Sequence, residues 1–137
     1  MHSQVIDEEV DIAASPVAVW RALTDPDITQ TYWGGTRIES DWLPGSMVIY
    51  RRDGKITDEH LLKELVPQRL IEHTFRPTFG PFATEPPSLL TLLLSPTDRG
   101  TRLHVLHRGF PPASKVYAAC KEGWPGILAG LKQRLEV

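Results

Sequence analysis

Cysteine is nearly missing from this chain: Cys120 is the only one in 137 residues. No disulfide can form within the chain, and the apolar run around Cys120 favours a buried small hydrophobe over a nucleophile. Basic runs are absent too, none being longer than the Arg51-Arg52 pair, and 15 basic against 17 acidic side chains leave a net charge of −2. That balance argues against a nucleic-acid or anionic-membrane surface. No apolar stretch approaches the length of a membrane span, and the polar, acidic N-terminus lacks a signal pattern, so no membrane span and a cytoplasmic location are expected. A Gly-x-Ser-x-Gly elbow, a P-loop and a dinucleotide glycine fingerprint are all missing, which leaves hydrolase and nucleotide chemistry without support. Close-spaced His, Cys, Asp or Glu ligands are missing as well, so no metal and no cofactor are expected. There is no internal repeat, and the length suits a single domain over 1–137 that buries a full core unaided.

What is present gathers toward the end. From Ser114 to Val137, residues Tyr117, Cys120, Trp124, Ile127, Leu128, Leu131 and Leu135 recur at steps of three and four, the spacing of one helix face. Lys115, Lys121, Glu122, Lys132, Gln133, Arg134 and Glu136 occupy the other side. Small residues crowd in and beside the stripe: Ala118, Ala119, Gly123, Gly126, Ala129 and Gly130. They fill less space than a packed core helix wants, as in a lid over a partly empty space. Pro125 lacks the N–H that a helix interior uses, so a kink is expected there.

Upstream, Gln4 to Ile12 alternates as a strand, with Glu8 in the phase of Ile6, Val10 and Ile12. Ser15-Pro16 and Asp25-Pro26 each combine an N-cap with a first-turn proline and open two short helices, the second stopped by Gly34-Gly35. Strand-like runs follow: Arg37 to Ser40, Ser46 to Arg52, Lys55 onward, Arg69 to Arg76, Ser88 to Ser95 and Thr101 to Arg108. Asp53-Gly54 suits a two-residue hairpin turn. That turn sets Ile49 opposite Asp58 and Met47 opposite His60. One face then holds Met47, Ile49, Ile56 and Leu62 with Arg51, Asp58 and His60. The other, which holds Arg52, Lys55, Glu59 and Lys63 with Val48, Tyr50 and Leu61, is taken as outward because it is more evenly charged. Pro77 to Pro87 reads as a stiff loop that carries Phe79 and Phe82 over a cavity mouth. The order of strand, two short helices, six antiparallel strands and one long helix is that of an α+β fold whose sheet is covered by its last helix.

Polar residues on the presumed dry faces supply the site candidates. Asp58 and His60, two apart on one strand, can pair as carboxylate and imidazole and move a proton, or simply satisfy their neighbours. His73 and His107 lie in apolar phases, and Glu8 joins them as a cavity candidate. Trp33 and Trp42 flank turn-rich sequence near the presumed entrance, and Trp124 stands at the expected kink, so all three are placed to touch a ligand. Trp20 reads as core packing.

The run Ser15-Pro16-Val17-Ala18-Val19-Trp20-Arg21-Ala22-Leu23-Thr24-Asp25-Pro26, with Tyr32-Trp33, Gly100-Thr101-Arg102-Leu103, Gly109-Phe110 and Gly123-Trp124 with Leu128 and Leu131, resembles the START-like (SRPBCC) superfamily. Within it, the branch named after the activator of the ninety-kilodalton heat-shock protein ATPase is the nearest. The resemblance spans essentially the whole chain and implies a helix-grip fold, a curved antiparallel sheet wrapped around a long C-terminal helix and enclosing an apolar cavity. It implies no single activity, since members include lipid and polyketide binders, aromatic cyclases and stress-linked proteins. Pro125 and the Pro77 to Pro87 loop depart from the pattern, and nothing in the sequence marks the separate N-terminal domain of the eukaryotic activator.

The expected function is binding of a small, largely apolar, lipid- or polyketide-like molecule between sheet and last helix. Two rivals stand beside it. One is a cyclase- or dehydratase-type enzyme that uses Asp58, His60 or Glu8 for proton transfer, and the other is a stress-related module with a protein partner.

Overall fold

The computed structural model describes residues 4–136; Val137, the end of the expected last segment, lies outside the described residues. The chain runs β1 (Ile6–Ile12), α1 (Pro16–Thr24), α2 (Pro26–Tyr32), β2 (Arg37–Ser40), β3 (Met47–Arg52), β4 (Lys55–Val66), β5 (Leu70–Phe75), β6 (Ser88–Thr97), β7 (Gly100–Arg108) and α3 (Lys115–Leu135). The seven strands form one antiparallel sheet in the order β1-β7-β6-β5-β4-β3-β2. Direct connections join strand neighbours from β2 to β7, the longest being the 76–87 loop between β5 and β6, and α1 and α2 carry the chain from one sheet edge to the other.

Local chemistry sets the helix starts. Ser15 Oγ accepts from the Ala18 N–H at 3.2 Å, and Asp25 Oδ1 accepts from the Asp27 N–H at 2.9 Å, each with proline in the first turn. Gly100 opens β7 where the strand meets the end of β1. A Cβ there would collide with the Ile12 carbonyl oxygen, so only glycine lets the two backbones close. Thr101 Oγ1 then donates to the Ala14 carbonyl at 2.8 Å.

The concave face of the sheet buries Ile71, His73, Phe75, Leu90, Leu92, Leu94, Leu103, Val105 and His107, in the phases that alternation predicts. Against it lies α3, which buries Val116, Trp124, Leu128 and Leu131. Gly123, Pro125, Gly126 and Gly130 make this a poor helix by propensity, so packing and capping hold it. Ser114 Oγ accepts from the Tyr117 N–H at 2.9 Å, and Glu85, reaching from the 76–87 loop, accepts from the N–H groups of Lys115 (2.7 Å) and Val116 (3.3 Å). A carboxylate at this end also matches the helix dipole. The helix runs unbroken through Pro125; Pro125 and Lys121 are both exposed, so water can satisfy the carbonyl that proline leaves bare.

The β3–β4 hairpin departs from expectation. Asp53 (φ 50°) and Gly54 (φ 76°) make the two-residue turn, and Arg52 pairs Lys55. One step beyond Arg51↔Ile56, however, a bulge leaves Thr57 without a partner, and the register becomes Tyr50↔Asp58 and Val48↔His60. The expected pairs Ile49 with Asp58 and Met47 with His60 are therefore wrong by one residue. The bulge reverses the phase of one strand against the other. Asp58, His60 and Leu62 point inward as expected, but their companions are Val48 and Tyr50, while Met47 and Ile56 are exposed. Tyr50, expected outward, is 3% exposed.

Candidate functional site

A cavity of about 250 Å³ lies between α3 and the β3–β5 end of the sheet. Its floor is Tyr50, Arg52, Asp58 and Phe75; its roof is Val116, Ala119, Cys120, Gly123, Trp124 and Ile127 of α3. Trp33, just past α2, closes one side, and Pro77, Phe79 and Phe82 close the other. The small residues of α3 that resemble a lid do face this space: Ala119 and Gly123 leave room that a leucine would fill.

The 76–87 loop is fixed at both ends. At its start, the Thr57 carbonyl, freed by the bulge, accepts from the Thr78 N–H at 2.8 Å and from Thr78 Oγ1 at 3.1 Å. At its far end Glu85 holds α3, with Ser114 Oγ donating to its Oε1 at 2.5 Å. Phe79 and Phe82 pack edge to face at 5.3 Å between these two anchors.

Behind the cavity floor sits a row of buried aromatic and imidazole rings. His60 stacks on His73 at 4.8 Å and on Phe75 at 4.6 Å, and Phe75 meets His107 edge-on at 4.6 Å. Hydrogen bonds set their tautomers. The Arg76 N–H donates to His60 Nδ1 at 2.8 Å, so the His60 proton is on Nε2, 3.5 Å from Asp58 Oδ2. At that length Nε2 is a buried donor without a hydrogen-bond partner among the described residues. Trp124 Nε1 donates to His107 Nδ1 at 3.3 Å, and His107 Nε2 in turn donates to Ser88 Oγ at 2.9 Å. His73 donates from Nδ1 to the Thr74 carbonyl at 2.6 Å.

Burial governs the charges here. It pushes His73 down to about 4 and His107 down to about 3, and it takes His60 well below the ordinary imidazole value, with His73 and His107 adding to the effect. All three are neutral at pH 7, so the His60–Asp58 contact is a dipole beside a carboxyl group and not an ion pair. Asp58 is raised by burial, against a hydrogen bond from Thr57 Oγ1 at 2.7 Å and the more distant Arg52. Burial lifts the Cys120 thiol to about 12, which leaves almost no thiolate for nucleophilic attack.

Of the residues singled out from sequence, Trp33, Asp58 and Trp124 line the cavity. His60, His73 and His107 are brought together one layer behind it. Glu8 and Trp42 are elsewhere. Glu8 is on β1 opposite Val105, and Trp42 stands in the β2–β3 turn at φ 55°, its N–H bonded to Ser40 Oγ. Neither lines this space. Sequence reasoning missed Tyr50 and Arg52, because the bulge that turns them inward leaves no mark in an alternation pattern. Phe75 was legible as a core residue but not as a cavity wall. Among the described residues no cluster of three or more His, Cys, Asp or Glu is disposed to hold a metal, and no helix is long and apolar enough to cross a membrane.

The family model described as Activator of Hsp90 ATPase homolog 1-like protein matches residues 13–136. No curated protein matches by sequence. Among solved structures, the chain is similar to protein MLL2253 from Mesorhizobium loti, at 26% identity and TM-score 0.79 with 96% of each chain covered. It is similar in fold to the Aha1 dimer from Colwellia psychrerythraea, at 21% identity and TM-score 0.78, covering 97% of this chain and 96% of that one. DynU16, a protein of the dynemicin biosynthetic locus, shares the fold at 18% identity and TM-score 0.79, with 99% of this chain and 48% of that one covered.

Proposed function

Since the chain belongs to the family of Activator of Hsp90 ATPase homolog 1-like proteins, we propose that it holds a small, largely apolar molecule in the cavity between sheet and α3. The observation that carries this reading is the cavity wall itself. Aromatic and aliphatic side chains make up nearly all of it, with Asp58 and Arg52 as the charged groups, the composition of a pocket that binds by burial and orients by a few polar atoms. The volume of about 250 Å³ suits a molecule of one or two rings better than a long acyl chain. The likeness to a protein of a biosynthetic locus supports a small molecule as the occupant.

Native mass spectrometry of gently purified protein, beside its denatured mass, tests the proposal. An excess mass that disappears on denaturation is the expected result. In a second arm, Gly123→Leu places a side chain where no atom stands within 4 Å of the glycine's Cβ position. The variant should lose the excess mass and stay folded; a bound mass unchanged in the variant would put the ligand elsewhere.

One observation favours an enzyme reading beside this one. Asp58 is a buried carboxyl raised by its surroundings, at the cavity wall and next to a neutral imidazole, an arrangement suited to proton transfer in a cyclase- or dehydratase-type reaction. Turnover of the bound molecule by the intact protein, abolished in Asp58→Asn even at saturating ligand, would favour the enzyme. The stress-related partner module has less support, because it calls for a collapsed cavity.

A further inference from the structure

The walls of the cavity narrow its ligand to a chemical class. Trp33 stands edge-on to Tyr50 at 5.9 Å and 70°, and edge-on to Trp124 at 5.4 Å and 70°. Tyr50 stands edge-on to Phe75 at 6.2 Å and 80°. These edge-on contacts hold the four rings together in the cavity wall, and the face of an aromatic ring carries the negative part of its quadrupole, which attracts a cation that reaches it. Asp58, 4% exposed, adds a carboxylate to the same space, and no Lys, Arg or His⁺ among the described residues pairs with it. Its nearest imidazole, His60, is neutral and aims an unpartnered N–H at it.

Resting on the reading that this cavity is a binding site, we infer that its ligand is an organic cation: an apolar or aromatic body bearing one protonated or quaternary nitrogen, seated among Trp33, Tyr50, Phe75 and Trp124 with its charge toward Asp58. A neutral apolar ligand would leave the buried carboxylate with the Thr57 hydroxyl and the more distant Arg52 as its only support; a cation would pair with it and meet the aromatic wall as well. Arg52 is the one opposing charge in the wall. It is exposed, and its Nε donates to Thr36 Oγ1 at 2.7 Å, so its charge is largely met by water while that of Asp58 is not. This contrast gives the inference a signature. Removing Asp58 and removing Arg52 should change cation affinity in opposite directions.

The experiment titrates the intact protein with benzyltrimethylammonium and with neopentylbenzene, its neutral isostere, following tryptophan fluorescence. The cation is expected to bind at least about 10-fold more tightly than the isostere. Asp58→Asn should weaken the cation by about 10-fold and leave the isostere within about 2-fold, while Arg52→Gln should tighten the cation by about 3-fold. Should Asp58→Asn fail to fold, the Arg52→Gln arm decides alone. An isostere that binds as tightly as the cation, or an Arg52→Gln variant that weakens the cation, overturns the cation assignment and leaves the cavity as a binding site. Failure of both probes to bind overturns the assignment together with the reading it rests on.

Discussion

Lowering the pH from 7.5 to 4.5 should unfold this protein far more readily than its surface charge alone would suggest, because three histidines are buried uncharged in the core. In the unfolded chain each titrates near its ordinary value of 6.5, whereas in the fold His73 is lowered to about 4, His107 to about 3, and His60 is lowered too. Between the folded and unfolded values the unfolded chain binds more protons, so stability is fully present above 6.5 and falls as pH falls. At pH 4.5, two units below 6.5, His73 and His107 each cost about 2.5 kcal/mol, or about 5 kcal/mol together. His60 acts in the same direction. Since the His60 and His73 rings stack at 4.8 Å, charging either one opposes charging the other. Asp58 acts oppositely: because burial raises its folded value above the ordinary 3.8, the native state binds more protons than the unfolded chain between those two values, and it returns part of the loss as pH falls through that window. Against a typical total of roughly 5–15 kcal/mol, the histidine loss is decisive. Urea unfolding at pH 7.5, 6.5, 5.5 and 4.5 is the assay. Stability should hold steady down to 6.5 and then fall by about 3 kcal/mol per pH unit. His107→Gln keeps an acceptor for Trp124 and should remove about 1.4 kcal/mol per unit from that slope. A flat profile from 6.5 to 4.5, or a slope that the variant leaves unchanged, would refute the argument.

Two glycines of α3 should respond to alanine with opposite signs. Gly123 faces open space, so Gly123→Ala gains helix propensity of about 0.5–1 kcal/mol and raises Tm by roughly 2–4 °C, whereas a Cβ at Gly130 would meet the Tyr32 carbonyl oxygen at 3.2 Å and the Tyr32 Cβ at 3.3 Å, so Gly130→Ala should lower it. Equal signs in thermal melts would show that the α2–α3 contact is softer than its distances imply. Glu85→Ala removes the acceptor of the Lys115 and Val116 N–H groups and should destabilise the protein by about 1–2 kcal/mol. Hydrogen exchange should then speed up at both the 76–87 loop and the first turn of α3; protection lost at neither would mean that the loop is held by its apolar contacts alone.

Much of the architecture is fixed by features that act over a few residues. Caps with first-turn prolines, an Asp-Gly turn, period-two strands and a period-three-and-four final helix each encode one element through local geometry, and together they specify the strand and helix order. The apolar phases of β5 and β7 placed His73 and His107 inside for the same reason. The site was only partly legible. Trp33, Asp58 and Trp124 line the cavity, while Tyr50 and Arg52 share its floor with Asp58 because of a bulge at Thr57, whose freed carbonyl accepts from Thr78 of the 76–87 loop, a contact between segments 21 residues apart that no local pattern encodes. Glu85 capping a helix 30 residues away is of the same kind. Sequence by itself determined the elements and, outside β3, their apolar faces, since those follow from neighbours along the chain; tertiary structure alone decided the face of β3 and which faces meet around an empty space. A cavity is the region that long-range packing fails to fill, and it exists only once sheet, loop and helix have been brought together.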